Sequence, residues 1–336
     1  MATTKPYNYC LDFIKGIACL CVVFMHCEFP GSLGIIIQAI SRFCVPFFFM
    51  VSGYFCYYPR NGESGVIKER MIKKIKHIGS IVIWSSLFYF LIAFGTWKLY
   101  GYPSFLVTMP LLFRFLGFNS PFIIAGHLWF LFALLYDYVI FGFFWRIGKV
   151  KMLYPVALVM VFAYIALAQG AHLAGFILPN WLYRNWLIEG LVFFMMGHWI
   201  HSNQEKLSLS NGIILGILLL STLLCLLERY LMGRDFGVNV MTFPQVFALF
   251  LYAINNTNRH AGVLQVIGER YSMWVYILHP FVWHSMDGLY KRLSLTANET
   301  VAYLRPVVAV LLTLALSAFC YWVIEENKKA KKTLLA

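Results

Sequence analysis

The sequence is poor in charged residues and has no long polar segment. Asp, Glu, Lys and Arg make up 12% of its 336 residues, whereas hydrophobic residues make up 61%. A soluble domain is about a quarter charged and about half apolar, so this composition excludes a soluble protein. Apolar stretches of about 20 residues recur along the whole chain, which predicts an all-α integral membrane protein.

Signals for several other classes of protein are also missing. The N-terminus has no basic region followed by a small-residue cleavage site, so no cleaved signal peptide is expected. The eight cysteines lie mostly in apolar stretches without metal-ligand spacing, so we predict neither disulfides nor a metal site. The 27 Lys and Arg outnumber the 14 Asp and Glu, but they are not interleaved with aromatic residues in polar segments. We therefore predict no nucleic-acid binding.

Apolar windows predict about ten transmembrane helices, and we treat the whole chain, 1–336, as a single membrane domain. The windows are 11–29, 38–58, 77–96, 125–145, 152–170, 186–201, 211–231, 240–255, 271–289 and 306–324. A further apolar stretch, 104–117, is interrupted by Pro110 and Arg114. Because this stretch is short for a span, we expect a re-entrant or interfacial helix there.

The distribution of basic residues predicts the orientation. With ten spans both termini lie on one side of the membrane. The loops on that side carry most of the Lys and Arg, including the run 68–76 and the tail 328–332. Cytoplasmic loops are enriched in basic residues, so we predict that both termini are cytoplasmic. The tail fits a topology signal beside anionic lipid, and a grip on a polyanionic ligand is the alternative.

The first span carries two ionisable residues, Lys15 and His26, eleven positions apart. At ~100° and ~1.5 Å per residue they share one helix face and stand about 16 Å apart, far enough to hold two ends of one long ligand. Ionisable groups within a membrane are costly and indicate function. The alternatives are a buried His26 bonded to a neighbouring helix and a Lys15 that pairs with Asp12.

Further polar residues from separate spans gather near the predicted outer level. They are Arg42, His127, Glu189, His284 and Asp287. Such a set suggests a polar cavity that is open to the outer face and binds substrate, although each residue alone could be an ordinary interfacial one.

Three polar residues lie deeper in the predicted spans. We interpret Asp137 and His198 as structural. His279 precedes Pro280, which frees a backbone carbonyl for a polar neighbour, and both a structural and a substrate-binding role stay open for it.

The segment 59–76 is the most basic in the chain. Its basic residues fall on a predicted amphipathic cytoplasmic helix and comprise Lys68, Arg70, Lys73, Lys74 and Lys76. Such a helix could anchor at the membrane surface, and Lys and Arg are also the usual partners of phosphate. The two roles are compatible.

Five stretches, in order along the chain, carry a family resemblance. They are Leu11-Asp-Phe-Ile-Lys15-Gly-Ile-Ala with His26, Val45-Pro-Phe-Phe-Phe-Met-Val-Ser52-Gly53-Tyr54, Gly126-His127-Leu-Trp129-Phe-Leu131, Tyr271-Ser272 with Tyr276-Ile-Leu-His279-Pro280, and Tyr321-Trp-Val-Ile-Glu325. With this order and spacing the chain resembles the acyltransferase-3 family of membrane acyltransferases.

The resemblance implies a ten-helix bundle that takes acyl-CoA, such as acetyl-CoA, from the cytoplasm and acylates an extracytoplasmic acceptor, often a sugar. The family's essential His maps onto His26, and its usual Arg maps onto Lys15. Lysine keeps the charge but lacks the planar two-pronged donor of arginine. The basic segment 59–76 would then bind the nucleotide phosphates.

Within this scheme His26 is the catalytic residue and takes the proton of an acceptor hydroxyl that attacks the thioester. Candidate hydrogen-bond donors to the developing oxyanion are Ser52, Tyr54 and Trp129, which the sequence does not rank. Direct transfer is favoured over an acyl-histidine intermediate.

The predicted function is O-acyl transfer, specifically O-acetyl transfer, from acyl-CoA to a hydroxyl of a cell-envelope polysaccharide or its precursor at the bacterial cytoplasmic membrane. One alternative is a transporter of a small solute or glycan, because intramembrane ionisable residues also mark substrate pathways. Inverted repeats would favour a transporter. The other alternative is a catalytically silent relative.

Overall fold

A computed structural model describes residues 7–58, 64–100, 109–120, 123–259, 262–295 and 298–335. Within these ranges the regular elements are helices and none is a strand. The α-helices are α1 (Tyr9–His26), α2 (Gly31–Ile40), α3 (Cys44–Tyr54), α4 (Ser64–Tyr100), α5 (Met109–Phe118), α6 (Trp129–Arg146), α7 (Leu153–Ile165), α8 (Ala171–Leu173), α9 (Leu191–Ser202), α10 (Asn211–Met232), α11 (Thr242–Asn255), α12 (Gly262–Val266), α13 (Ser272–Arg292) and α14 (Glu299–Leu335).

Shorter helical turns connect or extend several of these helices. The 3₁₀ turns are Ser41–Phe43, Ile123–Leu128, Val150–Met152, Asn180–Leu182 and Gln204–Lys206. The π-helical turns are Ala166–Gly170, Trp186–Gly190 and Ile267–Tyr271. Wide turns of this kind are rare and occur frequently at functional sites.

Seven of the predicted spans coincide with helical segments that are long and apolar enough to cross a membrane. These segments are Tyr9–His26, Gly31–Tyr54, Gly65–Thr96, Gly126–Arg146, Val150–Leu173, Asn211–Met232 and Glu299–Lys329. The windows 186–201, 240–255 and 271–289 are helical but shorter or less apolar, so the count of ten and the orientation stay predictions. In the stretch 104–117, α5 is a short apolar helix, and residues 101–108 lie outside the described part.

The described chain clusters into two compact units, and its treatment as one domain stays a prediction. The first unit comprises residues 1–47 and 209–336, and the second comprises residues 48–208. In the first unit α1 is central, because α2, α11, α12, α13 and α14 all pack against it. In the second unit α4 packs on α6, and α7 packs on α9 and on the turn Trp186–Gly190.

The backbone of α1 lies directly against the segment Gly262–Tyr271 of the first unit. A Cβ atom added to Gly16 would overlap the carbonyl oxygen of Leu264. A Cβ atom added to Gly268 would overlap the carbonyl oxygen of Asp12. Small residues at a helix crossing allow such close approach within membranes. These two glycines therefore set how α1, with Lys15 and His26, sits in its unit.

We predict that Gly268→Ala destabilises the protein. The added methyl group has no space beside Asp12, and overpacking of this kind costs about 1–3 kcal/mol. Thermal unfolding in detergent should show a lower Tm. The matched control is Gly216→Ala on α10, where an added Cβ meets no atom within 4 Å. An unchanged Tm for Gly268→Ala would contradict this close helix crossing.

Candidate functional site

Lys15 is held by Asp12, one turn earlier on α1. Its Nζ lies 2.7 Å from Asp12 Oδ1, and its side chain is 19% exposed. The other carboxylate oxygen of Asp12 accepts a hydrogen bond from the hydroxyl of Tyr7. Burial raises the pKa of Tyr7 and the Asp12 carboxylate raises it further, so Tyr7 stays a protonated donor. The ion pair with Asp12, one of the sequence alternatives, is present in the structure.

His26 lies in the last turn of α1, and its side chain is exposed. Its ring centroid is 4.9 Å from that of His279 on α13, which is only 1% exposed. Nδ1 of His279 lies 3.0 Å from the carbonyl oxygen of Val275. Because a carbonyl oxygen only accepts, Nδ1 carries the hydrogen, and Nε2 of the neutral ring is an acceptor. An exposed imidazole beside a buried one of defined tautomer is suited to proton transfer.

Arg42 lies close to this end of α1. It is buried in the turn Ser41–Phe43, where it forms an ion pair with Asp235. A guanidinium nitrogen of Arg42 also lies 3.6 Å from the sulfur of Met25, the residue before His26. The structure therefore brings Arg42, His26 and His279 into one region of the first unit. The sequence analysis missed Asp235, which lies far from Arg42 along the chain.

Two further predicted residues lie on α13 of the same unit. The His284 side chain is exposed, and its ring lies 4.1 Å from that of Trp283. Asp287 forms ion pairs with Lys291 at 2.7 Å and with Arg305 of α14 at 3.2 Å. These pairs favour the interfacial alternative for Asp287, since its carboxylate links α13 to α14.

In the second unit, Asn119 links the segments that carry His127, Trp129 and Glu189. Its Nδ2 donates to the carbonyl of Trp129 at 2.9 Å, and its Oδ1 accepts from the backbone N–H of Trp186 at 2.7 Å. Asn119 is fully buried and has φ of 45°, a conformation that Asn tolerates better than most residues. The sequence analysis missed Asn119.

These linked residues form an aromatic and polar region. The Arg184 guanidinium lies 4.6 Å from the ring centroid of Trp129, and the sequence analysis also missed this residue. The ring of His127 lies 4.7 Å from that of Tyr89. Glu189 is 2% exposed and lies in the turn Trp186–Gly190. The region has the groups to bind a polar acceptor, but its role stays a prediction.

The hydroxyls of Ser52 and Tyr54 both donate hydrogen bonds to other residues of the second unit. Ser52 donates to the carbonyl of Phe48 at 3.0 Å, and Tyr54 donates to Gln204 at 2.9 Å. The ring of Tyr54 also stacks on that of His201 at 4.2 Å. Either hydroxyl would have to exchange its protein acceptor to stabilise an oxyanion.

The basic residues predicted to bind phosphate lie along α4. The side chains of Lys68, Arg70, Lys73 and Lys76 are exposed. Lys73 forms an ion pair with Glu69 at 2.7 Å. These positions are compatible with surface anchoring and with phosphate binding.

Lys74 differs from the other basic residues of α4 because it is half-buried. Its Nζ donates to the carbonyl of Phe55 and lies 3.4 Å from the sulfur of Cys56. It also lies 5.8 Å from the ring centroid of Tyr58. Lys74 therefore turns toward the segment that follows α3.

The two residues interpreted as structural are both buried. Nδ1 of His198 lies 2.8 Å from the hydroxyl oxygen of Tyr154, within hydrogen-bond distance. Asp137 is 0% exposed, and neither of its carboxylate oxygens has a hydrogen-bond partner among the described residues. No cluster of three or more His, Cys, Asp or Glu in the described ranges is arranged to hold a metal.

Comparison with known proteins gives the family. The acyltransferase-3 model, which describes an acyltransferase domain, matches residues 8–325. A similar curated protein is the serine/alanine racemase of Enterococcus gallinarum, 24% identical over 355 aligned positions that cover 95% of this chain. The chain spans 46% of that relative's length. No solved structure matches this chain. Because the model match covers nearly the whole chain and its helices suit a membrane, the chain belongs to the acyltransferase-3 family of integral membrane acyltransferases.

Proposed function

We propose that this protein is an O-acyltransferase of the bacterial cytoplasmic membrane. It uses cytoplasmic acyl-CoA, in the simplest case acetyl-CoA, and acylates a hydroxyl of a cell-envelope glycan or its precursor. The observation that carries the proposal is the exposed His26 beside the buried His279, at the position of the family's essential histidine.

His26 acts as the general base in the proposed reaction. It takes the proton from the acceptor hydroxyl while the hydroxyl oxygen attacks the thioester carbonyl carbon. The new C–O bond replaces the C–S bond, and the imidazolium of His26 returns the proton to the departing sulfur of CoA. The acyl group passes directly to the acceptor, with no acyl-enzyme.

His279 is a positioning residue in this scheme. Its Nδ1–H is directed to the Val275 carbonyl, which leaves Nε2 as the acceptor for an N–H of a neighbouring group. The ring centroid of His26 lies 4.9 Å from that of His279, which is close enough for His279 to orient the ring of His26. A fixed tautomer on His279 thereby fixes which nitrogen of His26 faces the acceptor.

Lys15 binds the part of acyl-CoA that lies between its nucleotide and its thioester. Its distance of about 16 Å from His26 along α1 fits an extended pantetheine arm. The ion pair with Asp12 orients the ammonium group on an apolar helix.

We predict that His26→Ala lowers acyl transfer by roughly 10²–10⁴-fold, the usual contribution of a general base. Inside-out membrane vesicles that contain the full chain would receive radiolabelled acetyl-CoA on the cytoplasmic face. The measurement is alkali-labile label in envelope glycans, because an O-acetyl ester is cleaved by base.

The matched control for this experiment is His77→Ala, which removes an exposed histidine of α4 outside the proposed site. It should transfer label as the unmodified protein does. Transfer by His26→Ala at the normal rate would disprove the catalytic role. Solute movement across the vesicle membrane without any transfer would favour a transporter instead.

We predict that Lys15→Arg preserves or raises transfer, whereas Lys15→Ala raises the KM for acetyl-CoA. Arginine keeps the charge, adds donors in a planar fork and can still pair with Asp12. Steady-state KM values for acetyl-CoA in the vesicle assay test this prediction.

A double variant separates donor binding from charge balance. Lys15→Ala leaves the Asp12 carboxylate without its cation, which alone could disturb α1. Asp12→Asn with Lys15→Gln removes both charges. A raised KM in the double variant supports a donor contact, and a normal KM would mean that Lys15 serves only to neutralise Asp12.

A further inference from the structure

Two arginines of the second unit have aromatic partners, and within the described residues neither forms an ion pair. Arg114 lies on α5, and its Cζ atom is 5.2 Å from the ring centroid of Trp181. Arg184 lies just before the turn Trp186–Gly190, and its Cζ atom is 4.6 Å from the ring centroid of Trp129. Both side chains are half-buried, so each charge is partly removed from water without a counter-ion.

The surrounding sequence offers few carboxylates to neutralise these two charges. No Asp or Glu occurs between Glu69 and Asp137, or between Asp137 and Glu189. Asp137 is 0% exposed and lies about 12 Å along α6 from Trp129. Glu189 is 2% exposed and makes no ion pair with Arg184 in the described part of the chain. Because unpaired charges at membrane depth are costly, a bound anion is the expected partner of both arginines.

The guanidinium group of Arg184 has a buried donor that is not used. Its Nε is buried and has no hydrogen-bond partner within the ranges that the structure describes. A buried donor without an acceptor is costly. A guanidinium group binds phosphate or carboxylate through two parallel hydrogen bonds from its planar fork. The contact with the ring of Trp129 restrains this fork before a ligand arrives.

Hydrogen bonds join the segments that carry the two arginines. Arg114 lies one turn before Gly117 on α5, and Arg184 lies two residues before Trp186. Nε1 of Trp186 donates to the carbonyl of Gly117 at 2.9 Å, and the backbone N–H of Trp186 donates to Asn119 at 2.7 Å. Both arginines are therefore held on one part of the second unit.

The surroundings of the two arginines favour a ligand that comes from the membrane. On α5, the side chains of Phe113 and Leu116, close to Arg114, are 66% and 57% exposed. Exposed apolar side chains of a membrane protein contact lipid. The rings beside the guanidinium groups belong to Trp129 and Trp181, and Trp is enriched at the level of the lipid headgroups. At that level a lipid presents its phosphate.

We propose that Arg114 and Arg184 form a site that binds a phosphate group carried by a membrane lipid. Such a group is present in an anionic phospholipid and in a polyprenyl diphosphate, and both offer the same oxygen acceptors to a guanidinium fork. The two-arginine site (Arg114 and Arg184) lies wholly within the second unit, and its ligand does not depend on the proposed reaction.

Two arginines of the first unit provide a contrast. Arg42 is buried and pairs with Asp235, and Arg305 pairs with Asp287. In both cases the protein supplies the carboxylate that balances the charge. The two-arginine site lacks such a carboxylate within the described residues, which leaves its guanidinium groups available to an external phosphate.

Lipid binding by the full chain in dodecyl maltoside, a detergent without phosphate, tests the inference. Native mass spectrometry can measure the Kd of four probes. Two are a polyprenyl diphosphate and phosphatidylglycerol, and the other two are their phosphate-free counterparts, the polyprenol and diacylglycerol. The unmodified protein should bind a phosphate-bearing lipid about tenfold more tightly, or better, than its counterpart.

Single variants test the two arginines. Arg114→Gln and Arg184→Gln should each weaken binding of the phosphate-bearing lipid about tenfold, because hydrogen bonds to charged groups are strong. Arg184→Lys keeps the charge but lacks the planar fork, so it should also weaken binding. The control is Arg146→Gln, which removes the same charge from an exposed position at the other end of α6 and should leave the Kd unchanged.

Thermal unfolding separates lipid binding from a purely structural role. Without lipid, Arg184→Gln should leave the Tm unchanged or raise it, since it removes a partly buried charge that has no counter-ion. A phosphate-bearing lipid should raise the Tm of the unmodified protein and not that of this variant. A lower Tm without lipid, together with an unchanged lipid Kd, would mean that the arginines only pack on the Trp rings, and would overturn the inference.

The four probes also identify the source of the phosphate. Tighter binding of the polyprenyl diphosphate would assign the site to a lipid that carries glycans, and tighter binding of phosphatidylglycerol would assign it to phospholipid; either result supports the site. Equal binding of each lipid and its phosphate-free counterpart, or an equal loss of binding in Arg146→Gln, would overturn it. None of these measurements includes acyl-CoA, so their failure would leave the proposed acyl transfer intact, and failure of the transfer assay would leave this site intact.

Discussion

Charged side chains on apolar helices are costly and usually pair with one another or with backbone carbonyls, because the membrane interior does not solvate them. In this protein Lys15 pairs with Asp12 on the same helix, and Arg42 pairs with Asp235 in the same unit. In the proposed reaction, His26 exchanges the proton near the end of α1 and His279 positions it. A neutral imidazole suits both roles, because it carries both a donor and an acceptor.

Most of the helices could be predicted because length and hydropathy alone decide them. The predicted span 38–58 shows the limit of this approach, since the structure has α2, the turn Ser41–Phe43 and α3 over 31–54. Hydropathy does not report a local change of helix geometry within an apolar run. The window 271–289 is helical, but His279, His284 and Asp287 reduce its hydropathy.

The candidate site was predictable where its partners are close in sequence. The pair of Lys15 and Asp12 spans one helical turn, so spacing alone suggested it. The contacts of Arg42 with Asp235 and of Asn119 with Trp186 join distant segments. Periodicity within one helix carries no information about such contacts, because they depend on how separate helices pack.

The ion pair of Lys15 does not conflict with a role in donor binding. An ammonium group has three donors, and Asp12 Oδ1 takes one of them. The hydroxyl of Tyr7 occupies the other oxygen of Asp12, so the carboxylate is satisfied without drawing further on Lys15. Lysine in place of the family's usual arginine thus loses planar geometry while it keeps donors for a ligand. The substitution should therefore alter how tightly the donor is oriented more than whether it binds.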